Sequence, residues 1–350
     1  MRLVFICWPF EDQGSSLVIQ GYSEAAEALG HEVVVYGCAY DKIPLNYSLA
    51  IDSADAVVFL FEWTTQQYYG DQLDLVRLVG KVPRERRVVI DGDGNYNNVI
   101  SIEDDVNHAD AGASRAWIEL CDSLSDKICQ PTLHPLRPNV RPFLFYAYNP
   151  TWERPLDFSA KEFGMLYVGH SKFRWRPMER VLRAIQPVRE EVGRIGLVGY
   201  GWDSPPRWAT KMNIESVYYT DKAYLRELGL EVLRAVPFEQ VIDCMSKAIF
   251  NPVLLRPTFS HLRLVTPRLF ETPAASTISL FVLDEAHVQE IYGAEALRLR
   301  LADENPQEKL LDLVRRPHCY ADTMMGIRRH LAKKHSHAAR LKELIEIVES

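Results

Sequence analysis

Arg268 and Glu271 stand one helical turn apart in Thr266-Pro-Arg-Leu-Phe-Glu-Thr-Pro-Ala-Ala-Ser-Thr-Ile-Ser-Leu280. The segment reads as a helix start, an acidic residue one turn in, and a return to an apolar strand, Ile278 to Leu283. Set at a cleft in an α/β chain, such a carboxylate accepts two hydroxyls of a ribose. The arginine and the free backbone N–H groups of the helix start attract phosphate. The competing reading is a solvated helix glutamate beside a surface arginine.

Elements must hold these residues in place, and the length of 350 residues favours two domains, each with its own core. Hydrophobic content of 47% and charged content of 25% are ordinary for a globular protein. A net charge of −7 gives no electrostatic reason to expect nucleic acid or an anionic membrane, so nucleic acid is not expected as a partner. One local basic patch stands out, Lys172-Phe-Arg-Trp-Arg176. The start, Met1-Arg-Leu-Val-Phe-Ile-Cys-Trp-Pro, is broken too soon by Pro9 for a secretion signal and reads as a first strand. No run approaches the roughly 20 apolar residues of a membrane span. Six cysteines without CxxC spacing read as buried thiols in a reducing compartment, which makes the cytoplasm the expected location.

Along the chain, short apolar runs alternate with helical periodicity. Arg2–Cys7 reads as a strand, then a Gly14-Ser-Ser loop, a helix from Leu17 to Leu29 stopped by Gly30, and a strand at Val33–Tyr36. Ala56–Phe61 is a strand, Asp71–Val79 a helix, Arg87–Ile90 a strand that runs into the turn Asp91-Gly-Asp-Gly-Asn95. A helix lies within Asp104–Leu124, and Pro142–Tyr146 reads as a closing strand. After Pro150 and Pro155 the alternation restarts with Gly164–Gly169, a helix from Pro177 to Ile185, and a strand at Ile195–Gly199. Further on come a helix at Phe238–Ala248, a strand at Ile249–Leu255, and terminal helices at Glu308–Arg315, Ala321–Lys333 and Ala338–Glu349. The pattern divides as 1–155, a Rossmann-like unit, and 156–330, a second one, with 331–350 as a last helix.

With these pieces in view, the second half resembles the C-terminal domain of CgeB-like, group 1 glycosyltransferases of the GT-B fold. The matching pieces come in family order: Tyr167-Val-Gly-His-Ser171 with an arginine-bearing loop, Gly199-Tyr-Gly-Trp202, Ile249-Phe-Asn-Pro-Val-Leu, and Arg268-Leu-Phe-Glu271. The ending, Lys334-His-Ser-His-Ala-Ala-Arg340, also resembles the family's. The resemblance implies two Rossmann-like domains facing each other across a cleft, with a final helix crossing back to the first. It implies a sugar moved from a nucleotide-diphosphate donor to an acceptor (small molecule, glycan or protein), with no metal and no cofactor besides that donor.

By the same resemblance Glu271 contacts the donor ribose and Arg268 faces the diphosphate. Gly169, His170, Ser171 and Arg174 approach the phosphates, while Gly199, Gly201 and Trp202 shape the nucleobase pocket. Two positions depart from the family pattern. Arg263 stands where many retaining relatives carry a glutamate, and Ser276-Thr277 replaces a glycine-containing pair. They keep two other readings open, a non-catalytic nucleotide-binding or assembly module and a sugar-nucleotide epimerase. An inverting transferase also needs a base for the acceptor hydroxyl. Glu11, Asp12, Glu62 and Asp91 or Asp93 follow strands at the carboxyl edge of the first sheet, each with a structural reading beside the catalytic one. Asp91-Gly-Asp93 is as good a turn as a metal motif. His134, His261, His335 and His337 read as structural histidines.

Overall fold

The computed structural model describes residues 1–7, 14–39, 44–62 and 80–350, and two open parallel sheets organise them. The first has the order β3-β2-β1-β4-β5-β8-β9. Its strands are β1 (Arg2–Ile6), β2 (Glu32–Tyr36), β3 (Tyr47–Ser48), β4 (Ala56–Phe61), β5 (Arg87–Asp91), β8 (Lys127–Gln130) and β9 (Val140–Pro142). A two-stranded hairpin, β6 (Ser101–Ile102) and β7 (Asp105–Val106), projects from it. The second sheet has the order β12-β11-β10-β13-β14. It is built from β10 (Phe163–Val168), β11 (Ile195–Val198), β12 (Glu231–Leu233), β13 (Ala248–Val253) and β14 (Ile278–Phe281).

Why these runs are strands follows from what each face buries. Side chains alternate along β1: Leu3 and Phe5 join one core with Val18, Ile19 and Tyr22 of helix α1 (Gly14–Ala28). Val4 and Ile6 join another with Trp117, Cys121 and Leu124 of α2 (Ala111–Leu124). A strand covered by helices on both faces is apolar throughout, as Val-Phe-Ile is. β10 repeats the arrangement. Met165 and Tyr167 pack toward Met178, Val181 and Leu182 of α3 (Trp175–Ile185), and Leu166 and Val168 pack toward Val241 and Met245. In both sheets β1 or β10 lies between strands reached by opposite crossovers. Their carboxyl ends therefore open into a crevice.

The two halves touch at several points. The carboxylate of Asp105 accepts from Arg256 Nε at 2.9 and 3.0 Å, and from the backbone N and Oγ1 of Thr258 at 2.9 and 2.6 Å. Thr258 opens the short helix α4 (Pro257–His261), while α5 (Arg268–Ala274) follows it. Thr132 Oγ1 donates to the Leu262 carbonyl, and Val265 N to that of Pro131. Helix α6 (Ala321–Lys334) leads into α7 (His337–Glu349), whose N-cap Ser336 accepts from Ala339 N. α7 returns to the first sheet. Lys127 Nζ donates to the Val348 carbonyl at 2.6 Å, and the His337 ring meets Tyr22 of α1 edge-on.

Three sequence expectations differ from the structure. The strand expected at Pro142–Tyr146 ends at Pro142, because the chain then leaves the sheet edge toward the last helices, and Tyr148 N pairs with the His335 carbonyl. Gly14-Ser-Ser belongs to α1, not to a loop before it. β8 and β12 went unseen, having only two apolar residues each to signal them. The helix expected at Asp71–Val79 lies outside the described residues. Among those described, no helix is long and apolar enough to cross a membrane.

Candidate functional site

The second-half wall of the crevice begins where β10 and β11 end. Gly199, at φ 141°, lets its turn lie against the Gly169 carbonyl, where a Cβ would collide with backbone. Trp202 is fully buried and its Nε1 donates to that same carbonyl at 2.7 Å. Ser171 is also fully buried, with its N bonded to the Tyr200 carbonyl. Gly201 packs against Ser171 and Tyr218. These contacts brace two turns together. The indole of Trp202 is packed between these turns and carries no exposed surface.

What the braced turn presents is positive charge. Phe173 adopts φ 54°, a left-handed backbone costly for a bulky side chain, and its N is held by the Val217 carbonyl at 2.7 Å. Its neighbours on either side are Lys172 and Arg174. Arg174 Nη1 lies 2.9 Å from His170 Nδ1 and donates to the Lys172 carbonyl at 3.0 Å. The Phe173 ring has the Arg256 guanidinium 4.3 Å from its centre and Lys172 Nζ at 5.9 Å. Burial pushes His170 well below the usual histidine range, and the charges of Arg174, Lys172, Arg268 and Arg256 push it further. Burial and then Arg256 bring Lys172 down to about 7.

Beside this cluster lies Glu271, 2% exposed, in the first turn of α5. Burial raises its pKa and Arg268 opposes the rise. Arg268 Nη1 stands 3.1 Å from Glu271 Oε2, yet neither atom makes a hydrogen bond with any described residue. A buried carboxylate whose oxygen has unused hydrogen-bonding capacity is costly to keep unless something else fills it.

The first-half wall carries carboxylates. Glu62, just past β4, accepts from Ser15 Oγ and Tyr146 OH, each at 2.9 Å. Burial, then the charge of Asp93, raises it to about 7. Asp91 is fully buried and accepts from Asn95 N at 3.0 Å, Tyr96 N at 2.6 Å and Gln130 Nε2 at 2.8 Å. Burial raises it to about 6. Its lone pairs close the turn after β5, the turn that carries Asp93. Asp93 is half-buried, and its charge is felt by Glu62 and Tyr146 on one side and by Lys172 on the other. Glu11 and Asp12 lie outside the described residues.

Positions expected to depart from pattern sit elsewhere. Arg263 pairs with Asp284 at 3.4 Å and Glu290 at 3.7 Å. Ser276 Oγ accepts from Asp157 N, and Thr277 Oγ1 from Asn251 Nδ2, so both brace strands. His134 bonds Glu290, His335 meets Arg340, and His337 is buried against α1. No group of three His, Cys, Asp or Glu that could hold a metal occurs among the described residues. Sequence reading missed Arg256 and Asp105. The available signal was an arginine directly after the apolar run of β13, at a carboxyl strand end.

Solved structures share this architecture. An α-glucosyltransferase in complex with UDP-glucose and DNA containing an abasic site aligns at TM-score 0.67 and 12% identity, covering 100% of this chain and 99% of that one. T4 phage BGT in complex with its UDP-glucose substrate aligns at 0.60 and 13%, covering 100% of both chains. An α-glucosyltransferase with UDP and a 13-mer DNA containing a HMU base gives 0.61 and 13%, again with full coverage of both. No family model matches the sequence, and no curated protein matches it. The likeness shows the fold: this chain is GT-B, two Rossmann-like units across a crevice with the last helix crossing back to the first. The narrower CgeB-like resemblance gains no support. The expectation that excluded nucleic acid is corrected, because proteins of this fold are seen with DNA bound. Net charge was the wrong quantity for it, since a chain at −7 still gathers four Lys and Arg side chains on one wall.

Proposed function

We propose that the chain is a glycosyltransferase that moves a sugar from a nucleoside-diphosphate donor, UDP-glucose being the first to try, to a hydroxyl on nucleic acid. One observation carries the donor half of this reading. Glu271 is buried and Arg268 half-buried, and their facing atoms, Glu271 Oε2 and Arg268 Nη1, make no hydrogen bond with any described residue, beside His170, Lys172, Arg174 and Arg256. A ribose supplies two hydroxyls to the carboxylate, and a diphosphate supplies the acceptors that a cation cluster lacks. Residues 156–330 would hold this donor, residues 1–155 the acceptor, and 331–350 would tie the two together.

In the transfer, the C1–oxygen bond to the diphosphate breaks as C1 bonds to the acceptor oxygen. Negative charge builds on the departing diphosphate, where Arg174, Arg268 and Lys172 stabilise it. The hydroxyl proton passes to Asp93, the half-buried carboxylate whose charge is felt by both Glu62 and Lys172.

Nucleic acid as acceptor is supported by the DNA complexes of proteins sharing the fold. Arg176, Arg180 and Arg183 lie exposed at helical spacing on α3, which starts at the cation cluster, each paired with a carboxylate (Asp104, Asp303 and Glu179) that a phosphate would displace. The test is incubation with UDP-glucose and a DNA duplex in which one base carries a hydroxyl. A mass gain of one hexose on the DNA with equimolar UDP release supports the reading. UDP release without a DNA adduct overturns the acceptor, and no UDP-glucose binding overturns the donor.

A further inference from the structure

Arg328, on α6, is 2% exposed, and its ion pair with Glu153 Oε2 spans 3.8 Å, beyond hydrogen-bonding distance. The guanidinium donates instead to backbone carbonyls. Nε reaches Pro273 at 2.8 Å, Nη2 reaches Ala274 at 3.1 Å and Ala275 at 2.8 Å, and Nη1 reaches Arg154 at 2.9 Å. The first three acceptors close the carboxyl end of α5, where helix carbonyls have no partner of their own. Arg154 lies in the segment that joins the two halves, and its N donates to the Ala274 carbonyl at 2.8 Å.

We propose that Arg328 is a positioning residue of the donor site, fixing α5 from its far end so that Arg268 and Glu271 stand where a nucleoside diphosphate meets them. The proposal rests on the nucleotide reading above.

α5 does not hold this end by itself. It has 7 residues, and Pro273 within it supplies no N–H. An independently stable helix needs roughly 12–15 residues. Burying a guanidinium is costly unless its donors are matched. Here the planar fork matches several carbonyls at once, which a lysine ammonium cannot span. Its charge also faces the negative end of the helix dipole. From Ala274 back to Glu271 the helix rises only about 4.5 Å, so a displaced end carries the carboxylate with it. The flank of α5 is held separately. Tyr292 OH donates to the Leu269 carbonyl at 2.9 Å, and the Phe270 ring lies 5.7 Å from that of His335. A change at Arg328 leaves those contacts in place and releases the end of the helix alone.

Calorimetric titration of UDP into wild type, Arg328→Lys, Glu271→Gln and the double variant tests this. Arg328→Lys keeps the charge and loses the fork, and should bind UDP roughly tenfold more weakly than wild type. In the Glu271→Gln background the same change should weaken binding by at most about twofold, because residues that act through one contact are not additive. Val34→Ala, which opens a cavity in the core between the first sheet and α2, reads the effect of general destabilisation and should bind UDP as wild type does. Unchanged affinity in Arg328→Lys overturns the proposal, as does an equal loss in both backgrounds or an equal loss in Val34→Ala. Should Arg328→Lys not fold, the wild-type chain decides. Exchange of the Arg328 Nε–H with solvent, read by NMR, should slow on UDP saturation by a larger factor than the amides of β2 do. An equal or smaller factor overturns the proposal. No UDP binding by the wild-type chain instead overturns the nucleotide reading itself.

Discussion

Glu271 shows what one residue tells before and after folding. In sequence it was a helix carboxylate one turn from an arginine, equally at home on a surface. Burial to 2% and an unused Oε2 remove the surface reading. Glu271→Gln should weaken UDP binding at least tenfold, since each hydrogen bond to the charged group contributes about 1.5–3 kcal/mol. Its melting temperature should fall, because Arg268 loses the carboxylate it faces at 3.1 Å; calorimetry and thermal melts read both. Glu62 carries a second prediction. Its folded pKa of about 7 lies above the usual carboxylate value, so the folded state binds its proton more tightly. That contribution is complete at low pH and is lost as pH rises to about 7. The melting temperature of Glu62→Gln relative to wild type should therefore climb between pH 4.5 and 7 and level off above. A flat difference would mean Glu62 is ordinarily charged. Trp202 marks the limit of residue-level reading: its type and place after Gly-x-Gly pointed to a ligand, and only packing shows the indole bonded to Gly169.

At the scale of elements, strands with strong apolar runs were legible because both faces are buried. Ala56–Phe61 appears in the structure with the bounds read from the chain. β8, with Ile128 and Cys129 between polar ends, had no such signal. Long-range contacts were invisible altogether. The β6–β7 hairpin puts Asp105 onto Arg256 and Thr258, a pairing more than 150 residues distant that no local pattern encodes. Asp105→Ala strands a buried guanidinium and should cost about 3–5 kcal/mol of stability, measured by urea unfolding. Gly21 is the contact point of α1 with α7, where a Cβ would collide with the His337 ring. Gly21→Ala should cost about 1–3 kcal/mol by the same measurement, through strain between these two helices. A neutral result would show that α7 docks loosely.

For the whole molecule, alternation of strands and helices with a restart near 150–160 gave two α/β units, and the resemblance of the second half to group 1 glycosyltransferases supplied the GT-B fold, which the solved structures share. Partner class was not reachable that way. Total charge averages over a surface, while recognition depends on where charge is gathered. Here the crevice sets basic side chains of one sheet opposite carboxylates of the other, an arrangement suited to bringing a diphosphate donor against a hydroxyl. If nucleic acid is the acceptor, binding of a DNA duplex should weaken steeply with salt, and Arg180→Gln should lower the slope of log K against log salt by about 1. The most direct test of the central claim is calorimetric titration of wild-type and Glu271→Gln chains with UDP. Saturable binding by the wild type, at least tenfold weaker in the variant, is the predicted result. Absence of binding to UDP, or equal affinity in both chains, would contradict it.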